Sequence, residues 1–447
     1  MKHRSALVRL WSVTPPASGK PAARNGRQNG YTWGVACLAL LAIPASLGAQ
    51  GTSAAGAEQR MAALLARIEQ LERRVAELEG NSKGTARAAP VAVNTPQAET
   101  TAHEHGRQPD VDQTMAVAPS LKLAGFSDFN FAATNQRGFR SGFTEGQFVL
   151  HASSALSPRV NVFGELSFTA RTDAGTGTPA ATGFNAEVER LLIRFDRSDY
   201  FKVSFGRYHT PINWWNTAYH HGQWLQTSIS RPEMTQFGGR FIPVHFVGGL
   251  VEGAFPAQGL HLNYDVGVGN GRGSVISRGG DAGDNNNNRA WLINLFARPD
   301  RLFGLQAGGS VYRDKITLAP GREFREWISS GHIIWQKETP EIIAEFANVN
   351  HSEIGRPGAF NSQAYYIQIG YRLPWFERLW KPYYRFEYIH IPRGDAVFAG
   401  VPGLAGSVVG MRYDISGFAA LKAEFRNQRR PGLPRFNGGF VQTSFTF

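Results

Sequence analysis

The sequence predicts an all-β fold, a transmembrane antiparallel β-barrel of about 16 strands preceded by a short α-helical coiled coil. Three observations predict it. From Leu121 onward, segments of about ten residues alternate apolar with polar side chains, the period of a barrel strand with one face in lipid. The connections between these segments alternate short and long. Composition agrees: 50 Gly, 30 Phe and 10 Trp against 5 Met suit strands, tight turns and interfacial rings rather than a helical enzyme. No stretch reaches the ~18–20 unbroken apolar residues of a membrane-crossing helix.

Residues 1–49 read as a signal peptide. Arg4, Arg9, Arg24 and Arg27 precede an apolar run from Trp33 to Ala45, and small residues lead to a cut near Ala49. The single cysteine, Cys37, lies inside that run. Gly34 stands where a lipoprotein signal would carry Leu, so Cys37 does not read as a lipid anchor. A mature chain without cysteine has no disulfide, thiol chemistry or Cys-based metal site.

Residues 57–80 carry a heptad seam of Met61, Leu64, Ile68, Leu71, Val75 and Leu78 with charged flanks. Under three heptads cannot hold a helix alone, so partner chains are required. Arg67-Ile68-Glu69-Gln70-Leu71-Glu72 resembles a trimer-specifying motif and is repeated at 74–79, whereas β-branched residues at a with Leu at d favour two strands. An isolated amphipathic surface helix is the plainer alternative. Residues 81–119, rich in Ala, Thr and Pro without periodicity, read as a flexible linker. His103 and His105 within it read as solvated.

Sixteen strand candidates start near residues 121, 143, 158, 185, 200, 243, 259, 290, 303, 325, 340, 362, 379, 406, 418 and 438. Short turns follow even-numbered strands, as at 156–159, 196–199, 337–340 and 415–418. Long connections follow odd-numbered ones: 132–142, 171–184, 209–242, 270–289, 315–324, 352–361, 391–405 and 429–437. An outer-membrane barrel has short periplasmic turns and long external loops. Both chain ends then lie in the periplasm, and so does the coiled coil. In the last strand Val441, Thr443, Phe445 and Phe447 share a face. Phe445 and the terminal Phe447 resemble the signal read by the barrel-assembly machinery. A secreted β-helix would show a fixed short repeat, and there is none. The expected location is the outer membrane of a Gram-negative bacterium.

Strand parity sorts the interior. Tyr383, Arg385, Glu387 and Ile389 oppose Pro382, Tyr384, Phe386 and Tyr388. Arg412 and Asp414 oppose Met411 and Tyr413, and Lys422, Glu424 and Arg426 oppose Leu421, Ala423 and Phe425. A Lys or Arg facing lipid at the midplane costs ~2–4 kcal/mol, so the charged sets face the lumen. So many ions imply a wet lumen, hence a channel or a plugged channel. For any one of them, bracing the wall as a salt-bridged ladder is the competing role. From residue 120 onward 28 Arg and 6 Lys exceed 26 acidic residues, a net +8 that favours anions, part of it placed in loops against lipopolysaccharide phosphates.

The longest connection is the third external one. Arg207, His209, His220, His221 and Arg231 suit an anion or a sugar hydroxyl. Trp214, Trp215 and Trp224 suit stacking on a sugar face or a place in the interfacial girdle. Together they are candidates for a pore constriction. No metal is expected there: adjacent His220 and His221 on a strand point apart, and a transition metal wants three or four convergent ligands. The polar loop from Asp281 to Asn288 lacks calcium-loop spacing and reads as solvated.

The layout resembles the trimeric porins that place a coiled coil before the barrel, among them the phosphate-selective porin O and P type. The features are the heptads at 61–78, Phe205-Gly206-Arg207-Tyr208-His209-Thr210-Pro211, Tyr383-Tyr384-Arg385-Phe386-Glu387-Tyr388 and Phe447. The resemblance implies a homotrimer, passive diffusion of small polar or anionic solutes, and contact with outer-membrane lipid and lipopolysaccharide. In the phosphate-selective type an Arg ladder and a Lys cluster carry phosphate. This barrel has six lysines and no cluster, so a porin of that kind is expected without phosphate specificity. No catalytic residue, cofactor or nucleic-acid partner is expected. The alternatives are a structural or adhesive protein and an outer-membrane hydrolase, for which His151 and Ser153 share a face but no nucleophile motif frames them. Replacing Ile68 and Leu71 with polar residues is expected to dissociate the oligomer in analytical ultracentrifugation; an unchanged mass would give the seam another task.

Overall fold

The computed structural model describes residues 120–447 except 140, 171–183, 238–239, 257–258, 277–279 and 282. The expected signal peptide, coiled coil and linker lie outside the described residues. The chain forms β1 (Leu121–Thr134), β2 (Gly142–Ser157), β3 (Val160–Ala170), β4 (Phe184–Ser198), β5 (Phe201–His209), β6 (His245–Ala254), β7 (Leu262–Asn270) and β8 (Ala290–Ala297). It continues through β9 (Leu305–Ala319), β10 (Arg322–Gln336), β11 (Glu341–Glu353), β12 (Phe360–Gly370), β13 (Trp380–His390), β14 (Leu404–Ser416), β15 (Ala419–Arg429) and β16 (Phe436–Thr446). Each strand pairs antiparallel with its sequence neighbours, and β1 pairs with β16, so the sixteen strands close into a barrel without edges. Gly125 and Phe447 exchange both backbone hydrogen bonds at the seam, at 2.9 and 3.1 Å.

Every strand starts within three residues of its expected place, but one connection differs. The stretch 315–324, expected as a long loop, is the tip of a hairpin in which Pro320 and Gly321 join the strands and Leu318 forms a bulge. The charges at Arg313, Asp314 and Lys315 interrupt the apolar alternation without ending the strand. β9 and β10 have fifteen residues each. At ~3.3 Å per residue they outrun a ~25 Å apolar belt even when tilted, so charge on either face near the tip lies clear of lipid. There Lys315 Nζ bonds Glu323 across the hairpin at 2.9 Å. Conversely, the connections at 255–261, 298–304 and 371–379, on the rim of the short turns, are longer than expected.

The alternation sets the two surfaces. On β13 to β15, Tyr384, Val409, Leu421 and Phe425 project outward and are exposed, while Arg385, Glu387, Lys422 and Glu424 are buried inward. Around the rim of the short turns, exposed Tyr200, Phe255, Phe303, Trp375, Phe376 and Phe418 form the aromatic ring that a membrane interface favours. Phe425 sits near the middle of β15 on the outer face. Phe425→Arg is expected to cost ~2–4 kcal/mol in reversible unfolding from bilayers. A loss below about 0.5 kcal/mol would place that face away from lipid.

Candidate functional site: the inward third loop

Residues 210–244, between β5 and β6, turn into the barrel and cross to the far wall. The base of this loop is closed by one side chain. Asn216 Nδ2 donates to the carbonyls of Thr210 (2.7 Å) and Val244 (3.0 Å), so a single amide ties the outgoing and returning chain. A one-turn helix, Trp215–Ala218, follows. The first N–H groups of a helix have no partner of their own. Here Glu345 on β11 accepts from both Trp214 and Trp215 N–H at 2.7 Å. Trp215 is fully buried, edge-on to Tyr219 and Tyr366.

The loop then runs along β11 to β15, and the wall's charges bond its backbone. Thr227 donates to Glu341 at 2.8 Å. Glu424 accepts from Ile229 N–H (3.0 Å), Ser230 N–H (3.1 Å) and the Tyr383 hydroxyl (2.8 Å). Arg385, fully buried, donates to Ser230 O (2.8 Å), Ser230 Oγ (2.5 Å), Ser228 Oγ (3.0 Å) and Glu387 (2.9 Å). Arg412 donates to the carbonyls of Trp224 (2.6 Å) and Gln226 (2.9 Å), and Lys422 to those of Gln223 and Ser228. Glu387 accepts from Glu233 N–H at 2.6 Å. Gly410 faces Tyr383 across β13 and β14; a Cβ there would come within 2.3 Å of the tyrosine ring, so glycine lets that ring lie down and reach Glu424. Near the end of the loop, Arg272 donates to Phe241 O and to Glu326, each at 2.9 Å, and His351 joins Glu326 (2.9 Å) to Asp395 (2.7 Å).

The residues singled out from sequence therefore fall into several groups. Arg385, Glu387, Arg412, Lys422 and Glu424 meet the loop instead of water, which removes the reason given for a wet lumen at that wall. Asp414 holds Arg412 at 2.7 Å, and Arg426 bonds Glu424 at 2.6 Å while covering the Phe440 ring. Trp214 and Trp215 are buried loop anchors with no face free for a sugar, and Trp224 lies beneath Arg412. Arg231 is buried, bonded to the carbonyls of Thr235 and His220. Arg207, at the end of β5, pairs with Glu187 (3.0 Å) and Asp281 (3.1 Å). Phe445 and Phe447 stand on β16 and at its end, stacked on Phe129 and Phe148. His151 is bonded to Glu165 at 2.8 Å in the interior, so it cannot serve a hydrolase on the outer wall. The heptad residues lie outside the described residues.

Sequence reading missed Glu341, Glu345 and Lys381, although each shares inward parity with apolar or charged neighbours on its strand. It also missed that His209, His220, His221 and His245 gather around Glu189. His220 and His221 are not on a strand but in a bend of the loop, and both rings turn to one side, 4.5 Å apart. Their nitrogens lie 3.8 and 3.2 Å from Glu189, and His245 reaches it at 2.8 Å. Burial is the main influence on His220 and pushes its pKa well below the ordinary value, with His209, His221 and Arg231 acting in the same direction.

At the mouth on the loop side, a cavity of about 590 Å³ lies between residues 135–137, the third loop and the connection 430–435. Arg137, Arg231, Arg426, Arg430 and Arg435 line it with one acid, Glu233, which pairs with Arg430 at 3.1 Å.

The closed sixteen-strand barrel is that of the outer-membrane porins. It matches an anion-selective porin from Comamonas acidovorans with TM-score 0.53 and 13% identity, over 74% of this chain and 100% of that one. The outer-membrane channel DcaP of Acinetobacter baumannii matches with TM-score 0.51 and 11% identity, over 74% of this chain and 97% of that one. At such identities the likeness is one of fold. No protein-family model matches the chain, and no curated protein is similar to it in sequence.

Arg385→Ala would leave Glu387 buried without its guanidinium and strip the loop of its bonds at Ser228 and Ser230. A loss of ~3–5 kcal/mol is expected, with new protease cleavage in the third loop of a barrel that stays closed. A loss under about 1 kcal/mol, with the loop still protected, would mean that the clamp is not what holds it.

Proposed function

We propose that the protein is a passive diffusion channel of the Gram-negative outer membrane that favours small anionic solutes. The observation that carries this reading is the arginine-lined cavity at the mouth, where Arg137 and Arg435 are exposed beside Arg430, which pairs with Glu233, and Arg426, which pairs with Glu424. Beside it the third loop occupies part of the lumen and narrows what remains, so solutes pass close to these arginines. A confined positive field raises the local concentration of anions and lowers their entry barrier. The fold supports a channel, and the interior charges need no catalytic role because the loop backbone satisfies them.

Phosphate specificity is not part of the proposal. Of the six lysines in the barrel, Lys381 is engaged by Glu338 and Glu341 and Lys422 by loop carbonyls, so neither is free to hand on phosphate. The homotrimer and the periplasmic coiled coil belong to the proposal through the heptad seam at 61–78. The test is the reversal potential of the refolded protein in a planar bilayer under a salt gradient. Discrete steps with an anion-favouring potential are expected. Arg137→Glu with Arg435→Glu, both exposed, should move it toward cations. Absence of conductance from folded protein would overturn the channel, and an unmoved potential would overturn the mouth as its selectivity element.

A further inference from the structure

Around Glu189 on β4 the interior holds buried imidazole nitrogens without a hydrogen-bond partner. His220 Nδ1 lies 3.3 Å from Asn216 Oδ1. Asn216 cannot turn its amide round, because its nitrogen already donates to Thr210 O and Val244 O. His220 therefore carries its proton on Nδ1, and a bare lone pair on Nε2 points toward Glu189 Oε2, 3.8 Å away. His221 has Nδ1 3.3 Å from Gln147 Oε1 and Nε2 3.2 Å from Glu189 Oε1. His209 stacks on His220 at 3.7 Å, and neither of its ring nitrogens has a hydrogen-bond partner. The Nε2 atoms of His220 and His221 also lack one, although all three rings are buried.

His245 stands differently. Its Nδ1 accepts from Arg207 Nη2 at 2.9 Å, which leaves its proton on Nε2, 2.8 Å from Glu189 Oε2. Both of those atoms are buried and neither has a formed hydrogen bond, so His245 Nε2 joins the unpartnered nitrogens around Glu189. Glu165 is taken by Arg190 (2.5 Å) and His151 (2.8 Å). The interior histidine His351 shows what plain structural satisfaction looks like: both of its nitrogens are bonded to carboxylates. Imidazole nitrogens and a carboxylate oxygen gathered in a buried place without formed hydrogen bonds leave polar groups that a cation between them would satisfy.

We propose that His220, His221 and Glu189 bind a divalent transition-metal ion of the Zn²⁺ class. Their donor atoms lie within 4.8 Å of one another, and His209 stands beside them in separate clusters, with His220 and His245 and with Glu165 and His221. Zn²⁺ holds its ligands at ~2.0–2.1 Å, so the rings close in by roughly 1 Å on binding. Two imidazoles and one carboxylate, with water completing the shell, suit Zn²⁺, Ni²⁺ or Cu²⁺, whereas Mg²⁺ and Ca²⁺ require mostly oxygen. Asn216 and Gln147 lie against the outer nitrogens of His220 and His221, the second layer of partners that metal sites commonly need. The ion fastens the third loop, through His220 and His221, to β4. That is the wall away from the charged clamps.

The test uses the full chain refolded in detergent, incubated with Zn²⁺ and passed through gel filtration before metal analysis. One equivalent is expected in the unaltered chain beyond that kept by His220→Ala/His221→Ala. His103→Ala/His105→Ala, which alters only the linker, should retain it. Glu189→Gln should weaken binding about 10–100-fold. Equal Zn²⁺ in the unaltered and the His220/His221 variant overturns the site, as does loss of the ion with the linker histidines. Should the double variant fail to fold, Co²⁺ absorption of the unaltered chain decides: intense visible bands of a four-coordinate site support it, and the weak bands of aqueous Co²⁺ overturn it.

Discussion

The structure depends on one constraint: an ion kept from water must find a partner of fixed geometry. Along β11 to β15 that partner is the backbone of the third loop. Glu345, Glu424 and Glu387 accept its N–H groups, while Arg385, Arg412 and Lys422 donate to its carbonyls. Neither side could be buried alone. A loop without regular structure leaves its peptide groups unpaired, and a wall of charges leaves its ions unsolvated. Each such hydrogen bond contributes ~1.5–3 kcal/mol, against a desolvation cost of similar size. The net result is one position for the loop more than a large gain in stability.

That position is set by residues far apart in the chain. Ile229 and Glu424 are 195 positions apart, and Trp215 and Glu345 are separated by 130. The contacts cannot form until the last strands stand beside the first, so the loop settles onto a wall that closure has already built. The base at Asn216 is local by comparison and needs only β5 and β6. The loop thus has a hinge made of near neighbours and a seat made of distant ones. The width left for passage is fixed by the seat.

Much of the barrel was legible because a membrane wall obeys two strict periods. Alternation within strands placed Arg385, Lys422 and Glu424 inward, and alternating connection lengths placed the third loop on the correct rim. The failures have physical causes. The hairpin at Pro320-Gly321 was hidden because charges above the lipid belt look like a loop when only hydropathy is weighed. Glu341 and Glu345 were passed over because a single acid among inward-facing Ile and Ala looks like an exception, when it is a socket for backbone N–H groups. The gathering of His209, His220, His221 and Glu189 had no local signal at all. It arises because the loop folds back on its stem and the bend at 220–221 turns two adjacent rings to one side.

A charged interior and a wet interior are different things, and the distinction bears on how selectivity would arise. The inference from many inward charges to solvent holds when water is the only polar partner available. In this barrel the third loop supplies peptide groups in its place, and Arg385 neutralises Glu387 beneath it as Arg426 neutralises Glu424. Their contribution to the field along the pore is then small, and the net +8 of the barrel overstates the charge a passing solute meets. What remains unburied at the loop-side mouth is strongly one-sided: Arg137 and Arg435 are exposed there, beside Arg426 and Arg430. On the proposed reading, selectivity therefore belongs to the few arginines at the entrance, while the longer ladder of charge holds the loop that brings solutes near them.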